Sequence, residues 1–172
     1  MRPLPELAAM AIEIRRMQPS DFVPVMQLLA HWNIAPLAPS REVPVPERTE
    51  VIVDNTFVAL DDGRIVGVCS FIQHSPDLAE GASLGVDPAY HGRGVGDQLA
   101  LAVRREMRAR GVRTLRSESD RPETIKWLVG RGHRIVGTVP KRHAFGSPDI
   151  GRWTVLEFDL DSLPESRDPN SS

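Results

Sequence analysis

The sequence predicts a mixed α/β (α+β) fold, in which helices pack on a mostly antiparallel sheet of six to seven strands. Three observations carry this prediction: a β-hairpin signal in the first half of the chain, a strand–helix–strand unit after it, and two further strands near the end. The strand–helix–strand unit requires a right-handed crossover and therefore one parallel pair of strands. About four helices are expected to flank this sheet.

The segment before the hairpin is predicted to form a strand and a helix. Isoleucines alternate with charged residues over residues 12–15, which is typical of a short strand. An N-cap signal at Asp21 and apolar residues at helical spacing predict a helix that runs to about Trp32. A loop with four prolines then covers residues 34–47, and a short helical turn is expected around residues 47–53.

The clearest local signal is the turn Asp61-Asp62-Gly63, which joins β-rich runs at residues 56–60 and 64–71 into a hairpin. The elements predicted after it are a strand at 80–86, a helix at 95–110, a strand at 112–117, a short helix opened by the capping box Asp120-Arg121-Pro122-Glu123, and strands at 133–139 and 153–160.

Composition excludes several classes of protein. The chain has 172 residues, 41% hydrophobic and 26% charged, with a formal charge of −2 and a pI of about 6.2. Such a balance does not favour a protein that works by neutralising nucleic-acid phosphates. The single cysteine, Cys69, excludes an internal disulfide and a cysteine-built zinc site. Because no apolar run is long enough to span a membrane, we expect a cytoplasmic protein with no metal, nucleic-acid or membrane partner.

One folded domain is expected at residues 11–161. Residues 1–10 are predicted to be a loose N-terminal arm, and the small, polar residues 162–172 a disordered tail. Within the domain, Trp127 and Trp153 are expected to be core residues.

A glycine-rich loop directly before the longest predicted helix carries the functional signal. Gly92, Gly94 and Gly96 alternate there. Glycines let backbone N–H groups approach a ligand closely, and a helix N-terminus adds unpaired hydrogen-bond donors. A glycine-rich loop followed by a helix N-terminus therefore suits the binding of a diphosphate. A turn that only reverses the chain is the alternative. The dinucleotide pattern G-x-G-x-x-G fails, since Asp97 or Leu99 stands at its third glycine, which disfavours a nicotinamide or flavin oxidoreductase.

The run V-D-P-A-Y-H-G-R-G-V-G-D-Q-L, which starts at Val86, resembles the acyl-coenzyme A loop of the GNAT superfamily of N-acyltransferases. The family pattern is Gln or Arg, two residues, Gly, one residue, then Gly or Ala. Gly94 and Gly96 match this pattern, and His91 stands at the Gln or Arg position. The resemblance extends over about residues 12–160, and it implies a GNAT fold with acetyl-CoA as the acyl donor and no metal.

The resemblance also implies how an acyl-CoA would be held. The backbone N–H groups that would bind the diphosphate belong to the loop residues Gly92, Arg93, Gly94, Val95, Gly96 and Asp97. The main-chain groups that would pair with the pantetheine arm belong to Leu84, Gly85 and Val86. One N–H of that strand would polarise the thioester carbonyl, and the side chain of Arg93 would add a charged contact to phosphate.

Two side chains are candidate general bases. A base helps because an acceptor amine, with a pKa of about 8 to 10.4, is largely protonated at neutral pH. Glu80 begins the strand that would face the thioester, and it resembles the general-base glutamate of the histone-acetylating branch of the family. His74, at the end of the preceding strand, is the second candidate because histidine titrates in the required range.

The general acid that would protonate the leaving thiolate is not identified. Leu128 stands where many members of the family have a tyrosine, and Arg121 stands at the usual asparagine. Ser119 and Asp120 are the candidate substitutes for this asparagine. Water, Ser119 and the proton of the amine itself are the alternative sources of the proton for the thiolate.

The favoured function is an N-acetyltransferase that moves an acetyl group to a primary amine of a small molecule or peptide by direct attack in a ternary complex. A non-catalytic acyl-CoA-binding or regulatory domain remains the alternative. The acceptor stays open, and homodimers are common in the family.

Overall fold

A seven-stranded mixed sheet organises the chain in the computed structural model, which describes residues 11–32, 34, 51, 53–141 and 146–163. The strands are β1 Ile12–Arg16, β2 Thr56–Asp61, β3 Arg64–Gln73, β4 Leu78–Val86, β5 Thr114–Ser119, β6 Arg134–Pro140 and β7 Arg152–Asp159. The helices are α1 Phe22–His31, α2 Val95–Ala109 and α3 Pro122–Gly130.

The strands lie in the order β1-β2-β3-β4-β5-β7-β6, and β4–β5 is the parallel pair among the described strands. The predicted mixed sheet with one parallel βαβ unit is therefore confirmed. The described residues contain three α-helices, whereas about four helices were predicted. The helical turn predicted at residues 47–53 lies mostly outside the described residues. The described residues Val53–Asn55 form a 3-10 turn. Among the described helices, none is both long and apolar enough to cross a membrane.

The two faces of the sheet carry separate apolar clusters. Helix α1 packs on one face against a cluster that includes Val58 and Val68, and helix α2 packs on the other face against Cys69 and Phe71. The residues by which α2 is buried recur at four-residue spacing and are Val95, Leu99, Val103 and Met107. Helix α2 approaches the sheet closely at Gly67, where a Cβ would lie 2.8 Å from Leu99 Cδ1. A side chain at this position would push the helix away from the sheet.

The C-terminus of α2 explains why β5 begins later than the predicted residue 112. The N–H of Val112 donates to the Met107 carbonyl at 3.0 Å, and the N–H of Gly111 donates to Arg108 at 3.0 Å. With Gly111 at φ +83°, these bonds form a Schellman motif that ends the helix. Because the helix uses the Val112 N–H, the strand pairs only from Thr114 onward.

The predicted capping box of α3 is wrong. The N-cap residue is Arg121, and its side chain makes no capping hydrogen bond. Asp120 is buried and accepts instead from Lys141 Nζ at 2.5 Å and from the Ser147 N–H at 2.6 Å. A charged partner brought in by the β6–β7 connection thus replaces the local cap.

The outer parts of the predicted domain organisation lie largely beyond the described residues. The arm at residues 1–10 falls outside them, as does the tail after Leu163. Leu163 itself packs against the cluster under α2.

Asp21 closes the turn between β1 and α1. Asp21 is 7% exposed, and its carboxylate accepts hydrogen bonds from Arg15 Nη1 at 2.6 Å, Arg15 Nη2 at 3.2 Å and the Gln18 N–H at 2.8 Å. The hydrogen bonds from Arg15 lower the pKa of Asp21 below its ordinary value, against the opposing effect of burial.

Replacing Asp21 with asparagine should therefore lower the free energy of unfolding at pH 7 by about 1.5–3 kcal/mol. Because the folded-state pKa is lowered, the contribution is present above the unfolded pKa of about 3.9 and is lost as the pH falls through the folded value. Urea unfolding of the wild type and the variant, at neutral pH and below about pH 3, measures the difference in their free energy of unfolding at each pH. The exposed pair Arg113–Asp161 provides the control Asp161→Asn, which should cost less than about 1 kcal/mol. An Asp21→Asn effect that persists at low pH would contradict the electrostatic explanation.

Candidate functional site

The parallel strands β4 and β5 separate soon after they begin. Their Cα partners are Leu78–Thr114, Ala79–Leu115 and Glu80–Arg116, and no pair follows. From Gly81 onward β4 is paired with β3 alone. The main-chain groups on its other edge therefore face an opening in the middle of the sheet.

A β-bulge bends β4 at this opening. Val68 of β3 pairs with Gly85, whereas Ser70 pairs with Ala82, so β4 contains one extra residue. Ser83 lies in this stretch at φ +47°, a left-handed conformation that non-glycine residues rarely adopt. Bulges of this kind are frequent next to active sites because they redirect main-chain and side-chain groups.

Two adjoining cavities occupy the opening. The loop cavity, of about 400 Å³, is bounded by the glycine-rich loop and the start of α2. The inner cavity, of about 390 Å³, extends between β4, β5 and α2 and includes Glu80 and Ser119 in its wall. Both cavities share the lining residues Ile34, Leu84, Arg121, Thr124 and Trp127. The two cavities therefore adjoin each other, and together they are called the cleft.

The glycine-rich loop has the geometry that close approach by an anion requires. Gly92 and Gly94 adopt φ +73° and +80°, and a Cβ on either residue would meet nothing within 4 Å. Gly94 is the N-cap residue of the 15-residue helix α2. The unpaired N–H groups of this helix N-terminus and the open space at the loop fit a diphosphate.

Most of the predicted donor-binding residues line the loop cavity: Leu84, Gly85, Val86, His91, Gly92, Gly94, Val95, Gly96 and Asp97. Arg93 is exposed, and its guanidinium lies 5.4 Å from the centre of the Tyr90 ring. Arg93 is not among the residues that line the loop cavity.

Three stacked side chains close one side of the cleft. The rings of Trp32 and His91 are parallel, with centroids 5.2 Å apart, and the guanidinium of Arg121 lies 4.9 Å from the Trp32 ring. Trp32 Nε1 donates to the Val86 carbonyl at 3.0 Å, and His91 Nε2 lies 3.2 Å from the same oxygen. The Val86 carbonyl is therefore already occupied by protein side chains. The stacking of Trp32 with His91 and Arg121 had no signal in the sequence, because it joins three distant segments.

Arg131 is a further cation that the sequence did not indicate. It donates to both carboxylate oxygens of Asp97, with Nη2 at 3.0 Å from Oδ2, and lies 4.7 Å from the Trp127 ring centre. The hydrogen bond from Arg131 lowers the pKa of Asp97. The carboxylate in the first turn of α2 is thus neutralised, so it does not oppose an anion at the helix N-terminus.

Trp127 differs from its predicted core position. It is half-buried and lines both cavities, whereas Trp153 is buried as expected.

The two candidate bases are in direct contact. His74 Nε2 lies 2.8 Å from Glu80 Oε2, and the two side chains are 42% and 16% exposed. The turn between β3 and β4 brings them together, since the His74 N–H donates to the Leu78 carbonyl at 2.9 Å. Both residues line the inner cavity. Glu80 is therefore the more enclosed member of the pair, and His74 connects it to solvent.

Ser119, a candidate for protonating the thiolate, and its neighbour Asp120 also line the inner cavity. Ser119 Oγ accepts from the Arg121 N–H at 3.2 Å, which leaves its hydroxyl proton available. Asp120 is held by Lys141 and Ser147. Leu128, at the position where the family commonly has tyrosine, is buried in the cavity wall.

Within the described part of the chain, no group of three or more His, Cys, Asp or Glu side chains could hold a metal ion. The Cys69 thiol is buried, and burial raises its pKa to about 12. It is therefore a neutral core group.

Comparison with solved structures shows the same fold in several acetyltransferases. Ard1 from Thermoplasma volcanium is similar with a TM-score of 0.69 and 20% identity, over 87% of this chain and 97% of that chain. An N-acetyltransferase from Staphylococcus aureus has a TM-score of 0.64 and 20% identity, over 87% and 98%. Identities this low establish the fold alone.

A mycothiol acetyltransferase from Corynebacterium glutamicum is 44% identical over 61 residues. The match spans 35% of this chain and only 21% of that longer protein. A match over this part of the two chains does not carry the substrates of the mycothiol acetyltransferase over to this chain.

The family model described as acetyltransferase (GNAT) family matches residues 26–138, which include β2 to α3, the glycine-rich loop and Glu80. This is more than half of the chain. The chain therefore belongs to the acetyltransferase (GNAT) family.

Proposed function

We propose that this protein is an N-acetyltransferase that transfers the acetyl group of acetyl-CoA to a primary amine by direct attack in a ternary complex. The observation that carries the proposal is the pair of adjoining cavities, which share Leu84 and Trp127 in their walls and place the glycine-rich loop beside the space lined by Glu80 and His74. A donor held at the helix N-terminus would thus reach the two candidate bases without crossing the core.

The loop and the unpaired edge of β4 would hold the donor. The N–H groups at Gly92 to Asp97 would contact the diphosphate, and Arg131 cancels the charge of the Asp97 carboxylate in the same cavity. The main-chain groups from Leu84 to Val86 would pair with the pantetheine arm, except the Val86 carbonyl, which Trp32 and His91 already occupy. An N–H of this edge would stabilise the thioester carbonyl oxygen as it gains negative charge.

Glu80 would act as the general base. In the overall transfer, the amine nitrogen bonds to the carbonyl carbon, the carbon–sulfur bond breaks, and its electron pair stays on sulfur. Glu80 would accept the proton that the amine loses, and His74 Nε2, 2.8 Å away and partly exposed, would orient the carboxylate and pass the proton to solvent.

Ser119 is proposed to hydrogen-bond the leaving thiolate and to relay a proton to it from solvent water, so that the serine hydroxyl is restored in the same step. A thiol has an ordinary pKa of about 8.5, so the thiolate is a stable leaving group that needs little assistance. A family member with Leu128 in place of tyrosine is thus expected to be catalytically competent.

Two linked measurements test the proposal. Acetyl-CoA at one hundred times its dissociation constant should add about 2.7 kcal/mol to the folded state and raise the melting temperature by several degrees, with NAD as the control. Release of free thiol should then depend on an added primary amine, assayed over amino acids, polyamines and peptides. An absent melting shift would contradict acyl-CoA binding. A shift without amine-dependent thiol release would favour the non-catalytic acyl-CoA-binding domain.

A further inference from the structure

The inner cavity is lined by residues from both faces of the sheet. Ala79 and Leu115 are partners where β4 and β5 still pair, and both belong to the apolar cluster under α2. Because side chains alternate along a strand, Glu80 lies on the opposite face, beside its β3 partner Ile72. Leu115, Glu80 and Ile72 all line the inner cavity. The cavity therefore reaches both faces at the point where β4 and β5 separate.

The side of this cavity towards α2 is mainly apolar, and the proposed proton transfer does not use it. Its apolar lining residues come from α2, α3, β3 and β5 and are Cys69, Ala100, Val103, Leu115, Trp127 and Leu128. The two candidate bases lie at the other side, since His74 contacts Glu80. The α2 side is thus free for a part of a substrate that takes no part in proton transfer.

The charged and polar residues on the α2 side present little polar surface to the cavity. Arg104 and His133 are only 9% and 4% exposed, and the Arg104 guanidinium packs 4.2 Å from the centre of the Phe158 ring. Burial, with the nearby charge of Arg104, lowers the pKa of His133 to about 4, so its ring is neutral at pH 7. The hydroxyl residues Ser117 and Ser119 lie further along β5. A hydrocarbon group therefore suits this side better than a charged one.

Small residues on one flank of α2 leave space towards α3. Gly96 lines the loop cavity, and a Cβ on this residue would lie 3.5 Å from Trp127 Cζ2 of α3. Ala100 follows four residues later, on the same side of the helix, and lines the inner cavity. Leu128 adds an apolar side chain to the opposite wall. The space beside α2 thus adjoins the proposed donor site at one end and the apolar lining at the other.

We propose that the α2 side of the inner cavity binds the hydrocarbon tail of the donor's acyl group, so that the enzyme takes straight-chain thioesters longer than acetyl-CoA, such as butyryl-CoA and hexanoyl-CoA. The inference rests on the proposed acyltransferase function and extends its class of donors. The bonds formed and broken are those of acetyl transfer, with the longer acyl group in place of acetyl. The four added methylenes of hexanoyl-CoA would occupy roughly 120 Å³, at about 30 Å³ per water-sized group, in a cavity of about 390 Å³.

The position of the thioester favours the donor over the acceptor as the source of this tail. The thioester carbonyl would lie at the free edge of β4, in the opening between the two faces of the sheet. Glu80 would receive the amine proton on one face, so the acceptor approaches from that face. The acyl tail, on the carbonyl carbon, would then project towards the α2 side.

Calorimetric titration of the full chain with acetyl-CoA, butyryl-CoA and hexanoyl-CoA tests the inference. Each buried methylene should strengthen binding about 4-fold, so butyryl-CoA should bind about 15-fold more tightly than acetyl-CoA. Methoxyacetyl-CoA is the matched ligand, because an ether oxygen replaces one methylene of butyryl-CoA at the same chain length. It should lose most of the gain, since an oxygen buried without a hydrogen bond is unfavourable. No acceptor is present, so the acceptor cannot produce the difference.

Two variants locate the effect. Ala100→Leu should fill the space beside α2 and remove the gain for butyryl-CoA and hexanoyl-CoA, while acetyl-CoA binding stays within a few-fold of wild type. Ala102→Leu is the matched control, because Ala102 is half-buried on the same helix and is not among the lining residues of either cavity. It should keep the full gain. The ratio of affinities within each protein is compared, so that a change in stability common to all titrations of one variant does not enter.

Equal affinities of the wild-type protein for acetyl-CoA and butyryl-CoA would overturn the inference without any variant. A gain that Ala100→Leu leaves intact would also overturn it, because the tail would then bind elsewhere. Binding of acetyl-CoA with no gain for the longer chains would reject only the hydrocarbon site, whereas failure of all the thioesters to bind would reject the proposed function itself.

Discussion

Replacement of Gly94 with glutamate should reduce the affinity for CoA by about 100-fold or more. Gly94 is the N-cap residue of α2, and the open space around its Cβ position faces the proposed diphosphate site. A carboxylate at this point would stand against the phosphates, and juxtaposed like charges cost several kcal/mol, at about 1.4 kcal/mol per tenfold in affinity. Calorimetric titration with CoA measures the loss.

Two further variants separate charge from backbone strain in this experiment. Gly94→Ala introduces the cost of a side chain at φ +80° without charge, and it should lose less affinity than the glutamate variant. Gly111→Glu is the matched control, because Gly111 has φ +83°, equally open surroundings and a position at the other end of α2. It should destabilise the fold to a similar extent and leave CoA affinity unchanged. Undiminished CoA affinity in Gly94→Glu would refute the diphosphate assignment of the loop.

Replacement of Glu80 with glutamine should lower turnover by about 10²–10⁴-fold at pH 7, the usual contribution of a general base. Glutamine keeps the shape of the side chain and can still hydrogen-bond to His74, but it does not accept a proton. The loss should shrink at pH 9 for an acceptor with an α-amine, because an amine with a pKa of about 8 is then mostly neutral. Initial rates of thiol release at both pH values, with one amine acceptor, measure it.

Glu118 provides the comparison within the same cavity. It also lines the inner cavity but is paired with Arg116, so Glu118→Gln should not show a loss that shrinks as the pH rises. A loss in Glu80→Gln that is equal at pH 7 and pH 9 would mean that Glu80 positions a reactant instead of accepting its proton. A pH-dependent loss confined to Glu118→Gln would transfer the role of base to that residue.

Patterns of near neighbours made much of the fold predictable. The turn at Asp62-Gly63, with φ +48° and +78°, joins β2 and β3 where the hairpin signal placed it. The apolar stripe of α2 is buried as its spacing indicates. These features depend on backbone preferences and on side chains three or four residues apart, which the sequence displays directly. The glycine-rich loop belongs to the same class, because the sequence places its glycines and the helix N-terminus side by side.

Long-range pairing decided the rest, and there local signals were insufficient or misleading. Asp120 reads as the first residue of a capping box, but Lys141, 21 residues later, binds its carboxylate. Asp97 and Arg131 are separated by 34 residues, and Arg104 and His133 by 29. The energy of such pairs depends on burial and distance, which arise only when the sheet forms. The position of the glycine-rich loop before α2 was therefore predictable from the sequence, whereas the ion pairs around the loop were set by tertiary packing.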